Sequence, residues 1–298
     1  MTLRVYYSST YAVASVPILA RLGNSAAAIA KLPGVELVAP PPFKPNLLQD
    51  LHSPAYVNDF LSGTEPLASS QGIPWSVSVR DASLAMLSGQ VEGAKHALQQ
   101  GIAMNLARGF HHAVRDRGSG YCALNGLALV ALLHADKRIL VIDCDEHGGN
   151  GTEEFTTRLP NLFNISIFGT RFGCRGGERS WAFKVNVPQQ GFDVFREVLD
   201  ETESLLKAIQ PHLVLYQAGA DSHEDDPKGQ TGLSSEQMLL RDDRVFRMAR
   251  THNVPILFNV AGGYQTADIV AQLNVNTVRA AQAAYGGNDS GTDAAGKA

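Results

Sequence analysis

The sequence is short of cysteine, tryptophan and net charge. Three cysteines, Cys122, Cys144 and Cys174, stand among 298 residues and form no CxxC pair. An odd, scattered set of that kind argues against a disulfide framework and suits a reducing compartment. Twenty-five basic residues face 29 acidic ones, for a formal charge of −4. A general nucleic-acid binder shows a basic excess, so that class is set aside. No apolar run approaches the roughly 20 residues needed to cross a bilayer. The most apolar stretch, 122–135, is shorter than that and contains Asn125. The opening MTLRVYYSST lacks a basic-then-apolar-then-small pattern, so no signal peptide is expected. Internal repeats and low-complexity linkers are also missing. These absences lead to the expectation of a cytoplasmic protein with neither nucleic acid nor membrane as partner.

What is present is a normal globular composition, 44% hydrophobic and 18% charged. Short apolar, β-rich runs at 3–7, 35–38, 139–143, 162–168, 213–217 and 256–260 alternate with longer helical stretches. Several runs are apolar at every position, as strands buried on both faces are. A stripe of Phe195, Val198, Leu199, Leu205, Leu206 and Ile209 predicts a helix over 192–210, stopped by Pro211. Ser234 with Gln237 three residues on predicts a capping box at the start of another. The alternation predicts a single α/β domain over 1–285, with a mostly parallel central sheet flanked by helices. The remainder, 286–298, is rich in Gly, Ala, Ser and Asp and reads as a disordered tail. In such sheets, sites form at the carboxyl ends of strands.

Four segments put polar residues at those ends. In ILVIDCDEHGGNGT, a strand runs into Asp143, Asp145 and His147 at alternate positions, on one side of an extended chain. In HLVLYQAGADSH, a strand ends in small residues and then Asp221. Asp145, His147 and Asp221 together would form a two-carboxylate, one-imidazole metal site with a position left open for water. In GFHHAVRDRGSGYCALN, His111 and His112 can supply one proton acceptor and one donor near neutral pH. Gly120 and Tyr121 in the same segment offer an aromatic wall to an aliphatic substrate chain. In FNVAGGY, a strand leads through two glycines to Tyr264, whose phenol can donate to a developing oxyanion. Taken singly, each has a plainer reading: a polar strand end, a turn cap, a surface histidine pair, a core tyrosine.

Together, in this order and at these separations, the segments resemble the zinc-dependent histone deacetylase superfamily, which includes acetylpolyamine amidohydrolases and acetoin-utilisation proteins. LHSPAYVNDFLSG at 51–63 resembles its N-terminal region, so the likeness covers roughly residues 50 to 270. AMNLARGFHHA and GIPWS look most like the class IV and bacterial branch. The resemblance implies an arginase/deacetylase-like fold and one Zn2+ per chain on Asp145, His147 and Asp221. It makes His111 and His112 the proton-handling pair, with Asp143 orienting His111 and Asn150 partnering His112. Tyr264 becomes the oxyanion donor. It also implies K+ held by Asp143, backbone carbonyls at Asp143, Asp145 and His147, and Ser166, with the Ile167 carbonyl. The substrate would be an acylated lysine in a protein or peptide, or an acylated small amine such as an acetylpolyamine. The net charge favours a cationic amine product. Gly148, Glu146 and Ala261 depart from the family pattern, as does the missing His-Pro-x-x-Pro-x-Arg motif, which bears on peptide recognition. Two further readings stand beside this one. One is an arginase-like binuclear manganese hydrolase, against which Gly149 stands where that motif has Asp. The other is a scaffold that kept the fold without the chemistry.

Overall fold

The computed structural model describes residues 2–286. Eight strands form one sheet: β1 Leu3–Tyr6, β2 Val35–Val38, β3 Ile102–Asn105, β4 Ile139–Asp143, β5 Leu162–Phe168, β6 Ser180–Lys184, β7 Leu213–Ala218 and β8 Ile256–Val260. Their order is β2-β1-β3-β8-β7-β4-β5-β6, and every pairing is parallel. Every carboxyl end therefore opens on the same edge of the sheet. The fold is the α/β architecture read from the sequence.

Among the described residues nine α-helices accompany the strands: α1 Pro17–Ile29, α2 Pro54–Ser62, α3 Val77–Gln100, α4 Gly126–Leu133, α5 Asn150–Thr156, α6 Val187–Gln190, α7 Phe192–Ile209, α8 Ser235–Thr251 and α9 Ala267–Gly286. The helices α7, α8, α9 and α1 pack side by side as one layer, and α3, α4 and α5 form another. Right-handed crossovers place these layers on opposite faces. Helix starts follow their capping side chains. Ser76 accepts from the Val79 N–H at the start of α3, and Asn125 from the Ala128 N–H at the start of α4. The Ser234–Gln237 capping box is present at the start of α8. α9 is described to Gly286, and 287–298 of the expected tail lie outside the described residues. No helix among the described residues is long and apolar enough to cross a membrane.

The central strands are mostly apolar and buried, but near their carboxyl ends each carries a polar residue. Asn105, Asn259, Gln217, Asp143 and Ser166 stand in one register row across β3, β8, β7, β4 and β5. All five are buried. This polar row is the floor on which the site stands. Two strands were not expected. β3 has four residues directly after Gly101, too few to show a period. β6 is an edge strand whose middle is only half-buried.

Candidate active site

Beyond the polar row, β4 and β7 each give way to a loop carrying an acid. Asp145 Oδ1 accepts from the His147 N–H at 2.9 Å, and its Oδ2 from the Gly262 N–H at 2.6 Å. Asp221 sits on a 3₁₀ turn, Ala220–Ser222, directly after β7. Its Oδ1 accepts from the Glu146 N–H at 3.1 Å. Its Oδ2 is buried without a hydrogen-bond partner and lies 3.3 Å from His147 Nδ1. That nitrogen is also 3.3 Å from Asp145 Oδ1. One ligand atom from each of Asp145, His147 and Asp221 therefore falls within 4.8 Å of the others. A partnerless carboxylate oxygen on a residue 0% exposed is costly unless a cation meets it. The donor set, two hard oxygens and one imidazole nitrogen, suits zinc with a vacant fourth position.

The electrostatics agree with that reading. Burial, reinforced by the neighbouring charge of Asp145, raises the Asp221 carboxyl to about 7. Burial also opposes ionisation of Asp145, but His111 and His147 outweigh it and hold that carboxyl well below the usual range. Burial opposes a charge on His147, yet the adjoining carboxylates of Asp145 and Asp221 raise its imidazole to about 10. Two adjoining acids draw positive charge to this point.

The histidine pair stands beside it, on the segment leaving β3. The two rings lie 3.9 Å apart at 38°. His111 Nδ1 is 2.6 Å from Asp143 Oδ2, at the end of β4. His112 Nδ1 is 2.7 Å from Asn150 Oδ1, on the first residue of α5. An amide oxygen can only accept, so this contact assigns the proton to Nδ1 and leaves Nε2 with a free lone pair. Burial, then the neighbouring His111, holds His112 well below the ordinary histidine value. For His111 burial also opposes the charge, but Asp143 and Asp145 outweigh it and the imidazole is raised. The surroundings thus push the two imidazoles in opposite directions, His112 toward the neutral form and His111 toward the cation. His111, His112 and Asp145 also come within metal-binding reach of one another. Both Nδ1 atoms are already engaged, however.

Tyr264 completes the rim. Its backbone N–H donates to Asp226 Oδ2 at 2.7 Å, and its ring centroid is 6.3 Å from that of His147. A cavity of about 380 Å³ leads down to these groups, walled by Tyr121, Phe172, Tyr264, His112, His147 and Lys228. Gly120 has φ +52°, and an added Cβ there would run into the His112 ring. Close approach to that imidazole is the reason for glycine. Tyr121 and Phe172, both at positive φ, present their rings to the cavity. Phe172 lies 4.1 Å from the His112 ring.

Ser166 pairs in register with Asp143, and Ile167 follows it on β5, where the potassium reading put them. Asp143 and Ser166 nevertheless leave no oxygen without a partner. Asp143 is used by His111 and the Asp145 N–H, and Ser166 Oγ by the Gly149 N–H. Nothing comparable to the Asp221 oxygen marks this spot, and no step below uses potassium. A side chain at Gly149 would collide with Asp143, so the Asp of an arginase-type second metal has no room there.

Several residues around the site escaped sequence reasoning. Glu146, noted as a departure, is fully buried and accepts from the Thr231 N–H, the Thr231 hydroxyl and the Thr170 hydroxyl. Arg241 donates to the Gly219 and Cys144 carbonyls, bracing both ligand loops from below. His52 accepts from the Asn125 N–H and meets the Val114 carbonyl, tying down the far end of the histidine segment. The WAFK of β6 and the SxEQ of α8 carry no hint of these partners. Arg241 and His52 in particular are joined to the site by folding alone.

A parallel sheet whose strand ends carry two acids, three imidazoles and a phenol over a narrow aromatic cavity defines a deacetylase-like α/β protein. The chain belongs to the histone deacetylase domain family, whose model matches residues 16–281. Histone deacetylase 2 of Arabidopsis thaliana is 33% identical over 206 residues, covering 65% of this chain and 52% of that protein. An uncharacterised protein of Picosynechococcus is 32% identical over 225 residues, covering 73% and 75%. The chain spans about half the length of the Arabidopsis relatives that it matches. The crystal structure of an acetylpolyamine aminohydrolase from Burkholderia pseudomallei superposes with a TM-score of 0.76 at 17% identity. It covers 95% of this chain and 99% of that one, and shows the same fold.

Proposed function

We propose that this chain is a zinc-dependent amidohydrolase that removes an acyl group, acetyl in the simplest case, from an amine such as acyl-lysine, in the cytoplasm. The observation that carries the reading is the partnerless Asp221 oxygen, facing Asp145 and His147 directly below Tyr264 and the histidine pair. Zinc held by Asp145, His147 and Asp221 would supply Lewis acidity toward the acyl carbonyl and an activated water.

The chain's own residues do the rest. The free lone pair on His112 Nε2 receives the proton of the attacking water, because Asn150 keeps the other nitrogen protonated. The same proton then passes to the departing amine. His111, held by Asp143 and pushed toward the cation, favours the negative charge that builds on the acyl oxygen nearby. Burial raises the Tyr264 phenol above its ordinary value, so it stays protonated and donates to the oxyanion. The amide C–N bond breaks, water adds across it, and a carboxylate and an amine leave. Tyr121 and Phe172 line the slot that holds the aliphatic stem of the amine.

The test is hydrolysis of a fluorogenic acyl-lysine peptide by the purified protein, with zinc content measured beside it. One zinc per chain, turnover, and inhibition by a hydroxamate support the reading. Two manganese ions per chain would transfer it to the arginase-like alternative. A loaded protein without turnover on any amide would leave a scaffold. The second substrate reading, an acetylpolyamine or another small acylated metabolite, draws on the fold shared with the Burkholderia aminohydrolase.

A further inference from the structure

Three cations converge on the Tyr264 phenol. Arg108 Nη2 lies 3.5 Å from its hydroxyl. Lys228 Nζ stands 4.2 Å from its ring centroid, and the Arg21 guanidinium carbon 6.0 Å from it. They arrive from three places: the segment after β3, the loop after β7, and α1. Arg108 is only 6% exposed, and its Nε has no partner. Arg21 donates to the carbonyls of Pro17 and Gly263, and Lys228 Nζ to the Tyr121 hydroxyl at 3.3 Å. No carboxylate takes a side-chain hydrogen bond from any of the three among the described residues. Without such a bond, Asp145 acts on Arg108 and Asp226 on Arg21, and the Asp226 oxygens are used by the Tyr264 and Lys228 backbone N–H groups.

The local charge is therefore positive once the metal is counted. A divalent ion would offset Asp145 and Asp221, and the Asp143 oxygens are taken by His111 and the Asp145 N–H. Arg108, Arg21 and Lys228 are left against Asp226. Lys228 also sits 4.7 Å from the Tyr121 ring, so its ammonium bridges the two tyrosines at the mouth. A second cavity of about 330 Å³, lined by Arg21, Ile18, Ile73 and the same Tyr121, Lys228 and Tyr264, opens on the other side of that bridge. The Lys228 ammonium thus borders both cavities. The overall charge of −4 favours a cationic amine, but the field at the mouth has the opposite sign.

We propose that the preferred substrate carries a carboxylate within a few atoms of the scissile amide, and that cationic amides such as acetylpolyamines are disfavoured. The inference rests on the amidohydrolase reading. A buried guanidinium without a counter-ion is costly, and an incoming carboxylate relieves that cost. Like charge across a recognition site discriminates strongly against the wrong partner. The carboxylate has two possible sources: a dicarboxylic acyl chain that reaches Arg108, or an acid on the amine side that meets Arg21 and Lys228.

Two matched pairs of amides distinguish them. The first is a capped lysine bearing succinyl or acetyl. The second is 4-acetamidobutyrate against acetylputrescine, which place a carboxylate or an ammonium at similar distances from the amide. Each is assayed for kcat/KM with the zinc-loaded protein. Each is also tested for calorimetric binding to His112→Ala, which cannot turn it over. The expected result is a preference of about tenfold or more for the carboxylate member of at least one pair. A succinyl preference places the acid on the acyl side, and the other preference places it on the amine side. Lys228→Glu, a change at an exposed residue, should move selectivity in the second pair toward acetylputrescine. Arg108→Gln should erase any succinyl advantage. Equal values within both pairs, a preference for acetylputrescine, or binding of none overturns the inference. Turnover of acetyl-lysine in that case leaves the hydrolase reading intact. Carboxylate-selective binding without hydrolysis of any amide keeps the inference and removes the hydrolase reading.

Discussion

In the proposed reaction, proton transfer turns on the His112–Asn150 contact and charge stabilisation on Tyr264. His112→Ala and Tyr264→Phe should each lower kcat about 100- to 1,000-fold while the circular dichroism spectrum stays unchanged. A folded Tyr264→Phe enzyme with full activity would remove the oxyanion role. His52 carries a different, purely structural expectation. Burial holds its imidazole down at about 4, whereas a histidine in an unfolded chain takes up its proton near 6.5. Between those values the unfolded chain binds more protons. Stability from this residue is therefore lost as pH falls from 6.5 toward 4, by about 3 kcal/mol in total, and levels off below. Urea titrations at pH 7 and pH 4.5 should show a smaller gap between wild type and His52→Gln at the lower pH. At this scale the sequence was legible wherever the residues stand in recurring strings: Asp145, His147, Asp221, the histidine pair and Tyr264. Arg108 and Lys228 were not. Arg108 meets Tyr264 across 156 positions of chain, and no local pattern records such a meeting.

The elements meet at glycines, and two of them make opposite predictions. An added Cβ at Gly262, on the loop after β8, would overlap the Asp221 carboxylate itself. Gly262→Ala should displace that ligand, so metal content measured by mass spectrometry should fall with the activity. Gly101 ends α3 at φ +91° with open space around it. Gly101→Ala should cost about 1 kcal/mol through backbone conformation alone and leave kcat/KM unchanged. Six of eight strands were readable, β4, β7 and β8 most plainly because a strand buried on both faces is a near-continuous apolar run. The edge strand β6 and the four-residue β3 lack that mark. The helix α3 was hidden for a related reason. It buries Ser83, Ser88, Gly89, Gln90 and Gly93 along with its apolar residues, so no clean stripe remains.

For the molecule as a whole, the proposed metal would be coupled to the fold. Two carboxylates, 0% and 2% exposed, are held together beneath one imidazole. A cation that binds the folded chain and not the unfolded one stabilises it by mass action, by about 2.7 kcal/mol at 100 times its dissociation constant. Removing zinc with a chelator should therefore lower the melting temperature by several degrees, and zinc should restore it. An unchanged melting temperature would mean that the ligand cluster does not hold the ion. The single sheet makes such coupling direct, since every ligand loop leaves the same edge.

Glu146 stands between two of those ligands in the chain and grips Thr231, three residues along from Lys228. The threshold and the hearth of this enzyme are thus tied by one short tether. Anyone grafting a foreign 228–233 segment to retune selectivity should transplant the threonine with it, or expect the anchorage of the ion to loosen.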